Sequence, residues 1–186
     1  LPQSIRLLES VEVKSNWHAC YSTIYRHYRY VINNSKIQNL FLNNWTWHRY
    51  QKVLNEDLMS NALQGMEGEH DFFAFQKCGS NRLTSITTIK NITLKRVEDL
   101  IIVDIKATGF LYGMVRLIVG QLVLVGEKKI SPQLFTRRWR QKEKNDVKES
   151  APAKGLCFIN AVYEEDIFSK IKRNDLFPIF VIKGYS

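Results

Sequence analysis

The sequence predicts an α+β domain, a mainly antiparallel sheet with helices on one face. Three observations carry this. Ser22 to Asn33 is a run rich in Tyr, Ile and Val, as strands are. Two further strand-like runs, Ser85 to Val97 and Leu100 to Ala107, are separated by Glu98-Asp99, which reads as a hairpin turn. Directly after them Leu111, Met114, Val115, Ile118, Val119 and Leu122 fall at the i, i+3, i+4 spacing that buries one face of a helix. Strands stand before and after the helices with little βαβ alternation, which separates this pattern from a parallel α/β fold.

Element by element, Ile5 to Val13 alternates loosely, and residues 1–16 read as a linker or strand leading into the domain. In the run 22–33, Ile24, Arg26, Tyr28, Tyr30 and Ile32 share one face, while Tyr25, His27, Arg29 and Val31 share the other. Lys36 to Tyr50, with Trp45 and Trp47, reads as an irregular loop. Asn55 is the N-cap expected for a helix through Gly65, with Glu56 and Asp57 in its first turn. Leu58, Met59, Ala62 and Leu63 give that helix its buried face, and an aromatic turn, His70 to Phe75, follows. The central helix is expected from about Tyr112 to Gly126, with Gly126 as its C-terminal cap. Ser131-Pro132 opens another helix, which ends near Gln141. The polar stretch Gln141 to Ser150 reads as loop, Leu156 to Glu164 as a last strand, and 166–186 as a basic, then apolar tail.

Composition bounds the function. At 186 residues, with 45% hydrophobic and 24% charged side chains, the chain builds a core of its own and is not of disordered composition. No apolar run reaches the eighteen or so residues of a membrane span. Cys20, Cys78 and Cys157 are far apart, and His18, His27, His48 and His70 show no ligand spacing, which argues against a disulfide framework and a metal site. The net charge of +9 points to a polyanion such as a nucleic acid.

Some residues invite a chemical reading. Arg116 is the only charge between Lys106 and Glu127. A guanidinium in so apolar a helix needs an anion, or else snorkels to water over its own stem. Tyr28 and Tyr30 beside Arg26 and Arg29 have the aromatic and basic character of a sheet that stacks bases, and equally of an ordinary core strand. His70-Asp71 resembles a catalytic dyad, but no nucleophile accompanies it; Asp71 is read as capping a turn that buries Phe72 and Phe75. Arg82 sits in a polar loop, and Arg137, Arg138 and Arg140 form a basic run around Trp139, suited to phosphate contact or to a solvated helix face.

Four stretches, in order, carry a resemblance. Arg26-His-Tyr-Arg-Tyr30, Gly68-Glu-His-Asp-Phe-Phe-Ala-Phe75, Ala107-Thr-Gly-Phe-Leu-Tyr-Gly-Met-Val-Arg-Leu-Ile-Val-Gly120 and Ala151-Pro-Ala-Lys-Gly-Leu156 together resemble the tRNA pseudouridine synthase A family. The resemblance implies a ferredoxin-like half of a pseudouridine synthase fold, occupying 17–165, whose sheet continues into another half across a cleft. It implies tRNA as substrate, at uridines of the anticodon stem-loop, a homodimer, no cofactor, no metal, no membrane, and a cytoplasmic or organelle stromal or matrix location. Arg116 would pair with the catalytic aspartate, Tyr28 would stack on the target base, and Leu156 would line the uridine pocket. Arg82 and Arg26 would help hold the RNA.

One departure qualifies this. The family's Gly-Arg-Thr-Asp motif is not in the sequence, and none of Asp57, Asp71, Asp99, Asp104, Asp146, Asp166 and Asp175 follows Arg-Thr. The chain therefore reads as the C-terminal part of a synthase, inactive by itself, with the aspartate supplied from upstream. The alternatives are a non-catalytic basic RNA-binding module and an assembly protein whose charge is incidental.

Overall fold

A computed structural model describes residues 1–79, 82–164 and 167–168. The tail read at 166–186 lies, apart from Ile167 and Phe168, outside the described residues. The chain divides into two compact units, Tyr25–Ala161 and Leu1–Ile24 with Val162–Ser186. In the second unit residues 1–22 form turns and no strand. Trp17 packs on Tyr163 at 5.0 Å between ring centroids, and the Tyr163 hydroxyl donates to Ala19 O at 2.9 Å.

The sheet is built from β1 (Thr23–Asn33), β2 (Trp47–His48), β3 (Gly68–Asp71), β4 (Ile86–Val97), β5 (Leu100–Ala107) and β6 (Leu156–Tyr163). Its order is β2-β1-β5-β4-β3, and β6 also pairs with β1. β4 and β5 form the expected hairpin, with Glu98 at a positive φ of 53° in its turn and a register shift between Ile89 and Asn91. β5 runs antiparallel to β1, with Tyr28 opposite Ile105 and Tyr30 opposite Val103.

The helices are α1 (Glu56–Leu63), α2 (Met114–Gly126) and α3 (Pro132–Arg140). Both predicted caps are present: Asn55 accepts from the Leu58 amide and Ser131 from the Leu134 amide, satisfying donors that have no partner within the helix. The face of β1 and β5 that carries Tyr30, Ile32, Ile101, Val103 and Ile105 joins one core with Met59 and Leu63 of α1, Met114, Ile118 and Leu122 of α2, and Phe135 and Trp139 of α3. Nearly every residue of α2 is buried, as expected of a helix with neighbours on all sides.

Three expectations are corrected. The stretch 36–50 is not wholly a loop: Trp47 and His48 form β2, parallel to Ile32 and Asn33. Residues 68–71, read in part as an aromatic turn, form β3 before a 3-10 turn at Phe73–Phe75. Gly126 is the last helical residue rather than the cap; the left-handed residue is Lys128, at φ 59°. A Cβ on Gly126 would stand 2.7 Å from Met59 Sδ, so its smallness lets α1 and α2 approach closely.

Candidate functional site

The site grows out of the turn that starts α2. Gly113 takes φ 73°, a left-handed conformation that glycine adopts without strain, and reverses the chain into the helix. The stem of Lys77 lies over it, and the Lys77 amide donates to Tyr112 O at 2.9 Å. One turn on, Arg116 is one of the few α2 residues not fully buried. Its Nε donates to Ala151 O at 2.6 Å, and the Ala151 amide donates to Arg116 O at 2.9 Å. This reciprocal pair fixes the guanidinium from one edge. Among the described residues Arg116 makes no salt bridge, and its side chain is partly exposed.

Ala151 belongs to a segment, Glu149–Gly155, that crosses α2 as a strap. The strap comes close because position 120 is glycine; a Cβ there would collide with the Glu149 carbonyl. Beyond Ala151, Pro152 O accepts from the Tyr30 hydroxyl at 2.7 Å. Gly155 then lies flat on the Tyr30 ring, where a Cβ would sit 2.6 Å from Tyr30 Cζ. Burial pushes the Tyr30 phenol well above the usual tyrosine range, against the opposing pull of the Arg116 cation. The strap ends at Leu156, half-buried against the core at the start of β6.

Tyr28 occupies the same face of β1 two residues before Tyr30. Its ring meets Phe110 edge-on at 4.7 Å and Phe158 of β6 at 5.2 Å. Phe158 is 50% exposed, so this aromatic group opens to solvent on one side. Arg26 Nη1 donates to Thr108 O at 3.1 Å, and Arg82 Nη2 donates to Ile86 O at 3.1 Å. A Cβ on Gly109 would stand 2.9 Å from Arg82 Nη1. Arg26, Arg82 and Tyr28 are thus gathered around residues 108–110, and Arg116 and Leu156 are joined through the strap. The arrangement offers flat apolar stacking surface, cations beside it, and one oriented guanidinium with unused donors.

The other sequence candidates lie elsewhere. Asp71 accepts from the Phe73 amide at 3.0 Å and from Ser85 Oγ, and pairs with Lys142 at 2.6 Å. Burial disfavours its charge, but these hydrogen bonds prevail and hold its pKa below the ordinary value. It caps the turn over Phe72 and Phe75, both fully buried, while His70 packs edge-on against Trp139 at 5.2 Å. Trp139 itself is buried, and Arg138 donates to Gln121 Oε1 at 2.8 Å, so the basic run is partly built into the core. Glu127, at the end of α2, is held ionised against the cost of burial by Lys129 and Arg49. Among the described residues no group of three His, Cys, Asp or Glu is placed to hold a metal ion, and no helix is long and apolar enough to cross a membrane.

Sequence reasoning overlooked Phe110 and Phe158 as the partners of Tyr28. The signal for Phe158 was present in β6, where alternation sets Leu156 and Phe158 on one face.

The family model for tRNA pseudouridine synthase matches residues 62–164, a segment that includes Arg82, Arg116 and Leu156. The chain is 79% identical over all 186 residues to a tRNA pseudouridine synthase A of Prochlorococcus marinus (strain AS9601), and spans 69% of that protein. It is 76% identical to the protein of the same name from strain MIT 9301, again over 69% of the relative's length. A tRNA pseudouridine synthase A of Synechococcus sp. (strain CC9902) is 54% identical over 180 residues, 97% of this chain and 60% of the relative.

Proposed function

Since the chain belongs to the tRNA pseudouridine synthase family, we propose that it forms the part of such an isomerase that holds the target uridine and orients the catalytic aspartate. The single observation that carries the reading is the Arg116 guanidinium, fixed at Nε by the carbonyl of Ala151 in the strap that leads to Leu156. A binding module without chemistry has little use for an arginine braced in this way inside an apolar helix.

Pseudouridine formation exchanges the N1–C1′ bond of uridine for a C5–C1′ bond. The proton at C5 is lost and N1 regains one, so atoms and electrons balance without a co-reactant. Arg116 pairs with the aspartate that the family carries in its Gly-Arg-Thr-Asp motif, keeping it ionised and in place. Tyr28 stacks on the extruded uracil, offsetting part of the few kcal/mol that unstacking costs. Leu156 closes the pocket, and Arg26 and Arg82 lie along the path of the RNA backbone. The substrate is the anticodon stem-loop of tRNA, the assembly a homodimer, the compartment the cytoplasm, and the part lacking the aspartate motif is inactive alone.

The test is Arg116→Ala in the intact synthase, assayed for pseudouridine in tRNA and for tRNA affinity. Turnover is expected to fall by about 10³-fold, the scale for losing a preorganised electrostatic contact, with affinity within about threefold. Near-normal turnover would refute the ion-pair role, and pseudouridine made by the 186 residues alone would refute the assignment of catalysis to an aspartate outside them.

A further inference from the structure

We propose that Tyr30 is a positioning residue for the reaction: it holds the strap Glu149–Gly155, and through the strap sets the Arg116 guanidinium and Leu156. The proposal rests on the roles given to Arg116 and Leu156 above. Tyr30 is fully buried and so does not touch substrate, yet it grips the strap twice. Its hydroxyl donates to Pro152 O at 2.7 Å, and its ring is the surface on which Gly155 lies. The grips flank the approach to Leu156, and the first adjoins Ala151, which binds Arg116 at both its carbonyl and its amide.

Apart from a single 3-10 turn at Ala153–Gly155, the strap has no regular structure of its own. Its course is therefore set by what it touches: α2 at Gly120, Arg116 at Ala151, and Tyr30 at Pro152 and Gly155. Arg116 reaches the strap through one nitrogen, so any displacement of Ala151 turns the whole planar guanidinium. An ångström of such misplacement can cost about 10²-fold in rate. Because burial keeps the Tyr30 phenol protonated, it remains a donor to Pro152 throughout the working pH range.

The test uses the full-length synthase with Tyr30→Phe, which keeps the ring and the core, and with Gly155→Ala, which drives a methyl into that ring. Each is measured for kcat and KM on tRNA, for Tm, and for hydrogen exchange at the Ala151 amide. The expected result is a kcat lower by about tenfold or more, KM within twofold, a Tm near that of the wild type for Tyr30→Phe, and about tenfold faster exchange at Ala151. A Tyr30→Phe enzyme with kcat within twofold of the wild type, or with Ala151 protection unchanged, overturns the proposal. So does an activity loss that follows the unfolded fraction and recovers on cooling, the behaviour of a tyrosine that only fills the core. A wild-type enzyme that makes no pseudouridine refutes the functional reading instead, and the exchange at Ala151 then decides whether Tyr30 holds the strap.

Discussion

Asp104 and Arg29 stand directly opposite each other on β5 and β1 and share two parallel hydrogen bonds, Nε to Oδ1 at 2.9 Å and Nη2 to Oδ2 at 3.1 Å. His27 Nε2 lies 2.7 Å from the same Oδ1. Strand alternation puts this cluster on the face of the sheet opposite Tyr28 and Tyr30, so it supports the site from behind without taking part in it.

Desolvation works against the Asp104 carboxylate, but the hydrogen bonds from His27 and Arg29 outweigh it and lower its pKa. Stability from the cluster is therefore full above the ordinary aspartate value of about 3.9 and is lost as pH falls through the lower folded-state value. Asp104→Asn is expected to cost about 2–3 kcal/mol at pH 6. In urea titrations the gap between variant and wild type should narrow below about pH 4; a gap independent of pH would contradict the assignment.

Gly120→Ala tests the close crossing of strap and helix. The new methyl collides with the Glu149 carbonyl, which is backbone and cannot rotate away. Overpacking of this kind costs about 1–3 kcal/mol, against a propensity gain of up to about 1 kcal/mol for replacing a helical glycine. A lowered Tm is expected, and an unchanged or raised one would show that the strap is free to lift.

At Tyr28 the stacking surface and the hydroxyl can be separated. Tyr28→Phe preserves the ring that meets Phe110 and Phe158, whereas Tyr28→Ala removes it. Base stacking on an aromatic ring contributes about 1–3 kcal/mol, so the alanine variant should lose about 5- to 150-fold in kcat/KM. The phenylalanine variant should keep tRNA affinity, measured by filter binding, within about threefold of the wild type. Equal affinity losses in both would contradict stacking as the role.

Arg82 and Arg26 are assigned to the RNA backbone, and backbone contacts register as salt dependence. Each change to alanine should reduce the slope of log affinity against log salt by about one. A titration from low to moderate salt that leaves the slope unaltered would remove that residue from the interface.

Much of the fold was legible because its signals are local. Asn55 and Ser131 announce their helices by capping, and Glu98-Asp99 announces the hairpin. β2 and β3 were not legible, since a two-residue strand and the polar Gly-Glu-His-Asp carry no alternation and exist through their pairing with β1 and β4. Gly126 misled for a related reason: the glycine answers to Met59 on another helix, not to its own backbone. At the site, Arg116 stood out as a lone charge in an apolar helix. Its anchor on Ala151 did not, because a carbonyl acceptor leaves no mark on residue identity.

The pairing of β1 also separates the local contacts of the sheet from the distant ones. The β4–β5 hairpin closes over a two-residue turn, whereas β1 must bring Tyr28 to Ile105 and must also receive β6, whose first residue is Leu156. Loop-closure entropy makes such distant contacts slower to form than local ones. The hairpin and α2 are joined by local contacts, whereas the aromatic face and the strap depend on the distant pairing of β1 with β5 and β6. The functional surface is in this sense built from the contacts that lie farthest apart along the chain.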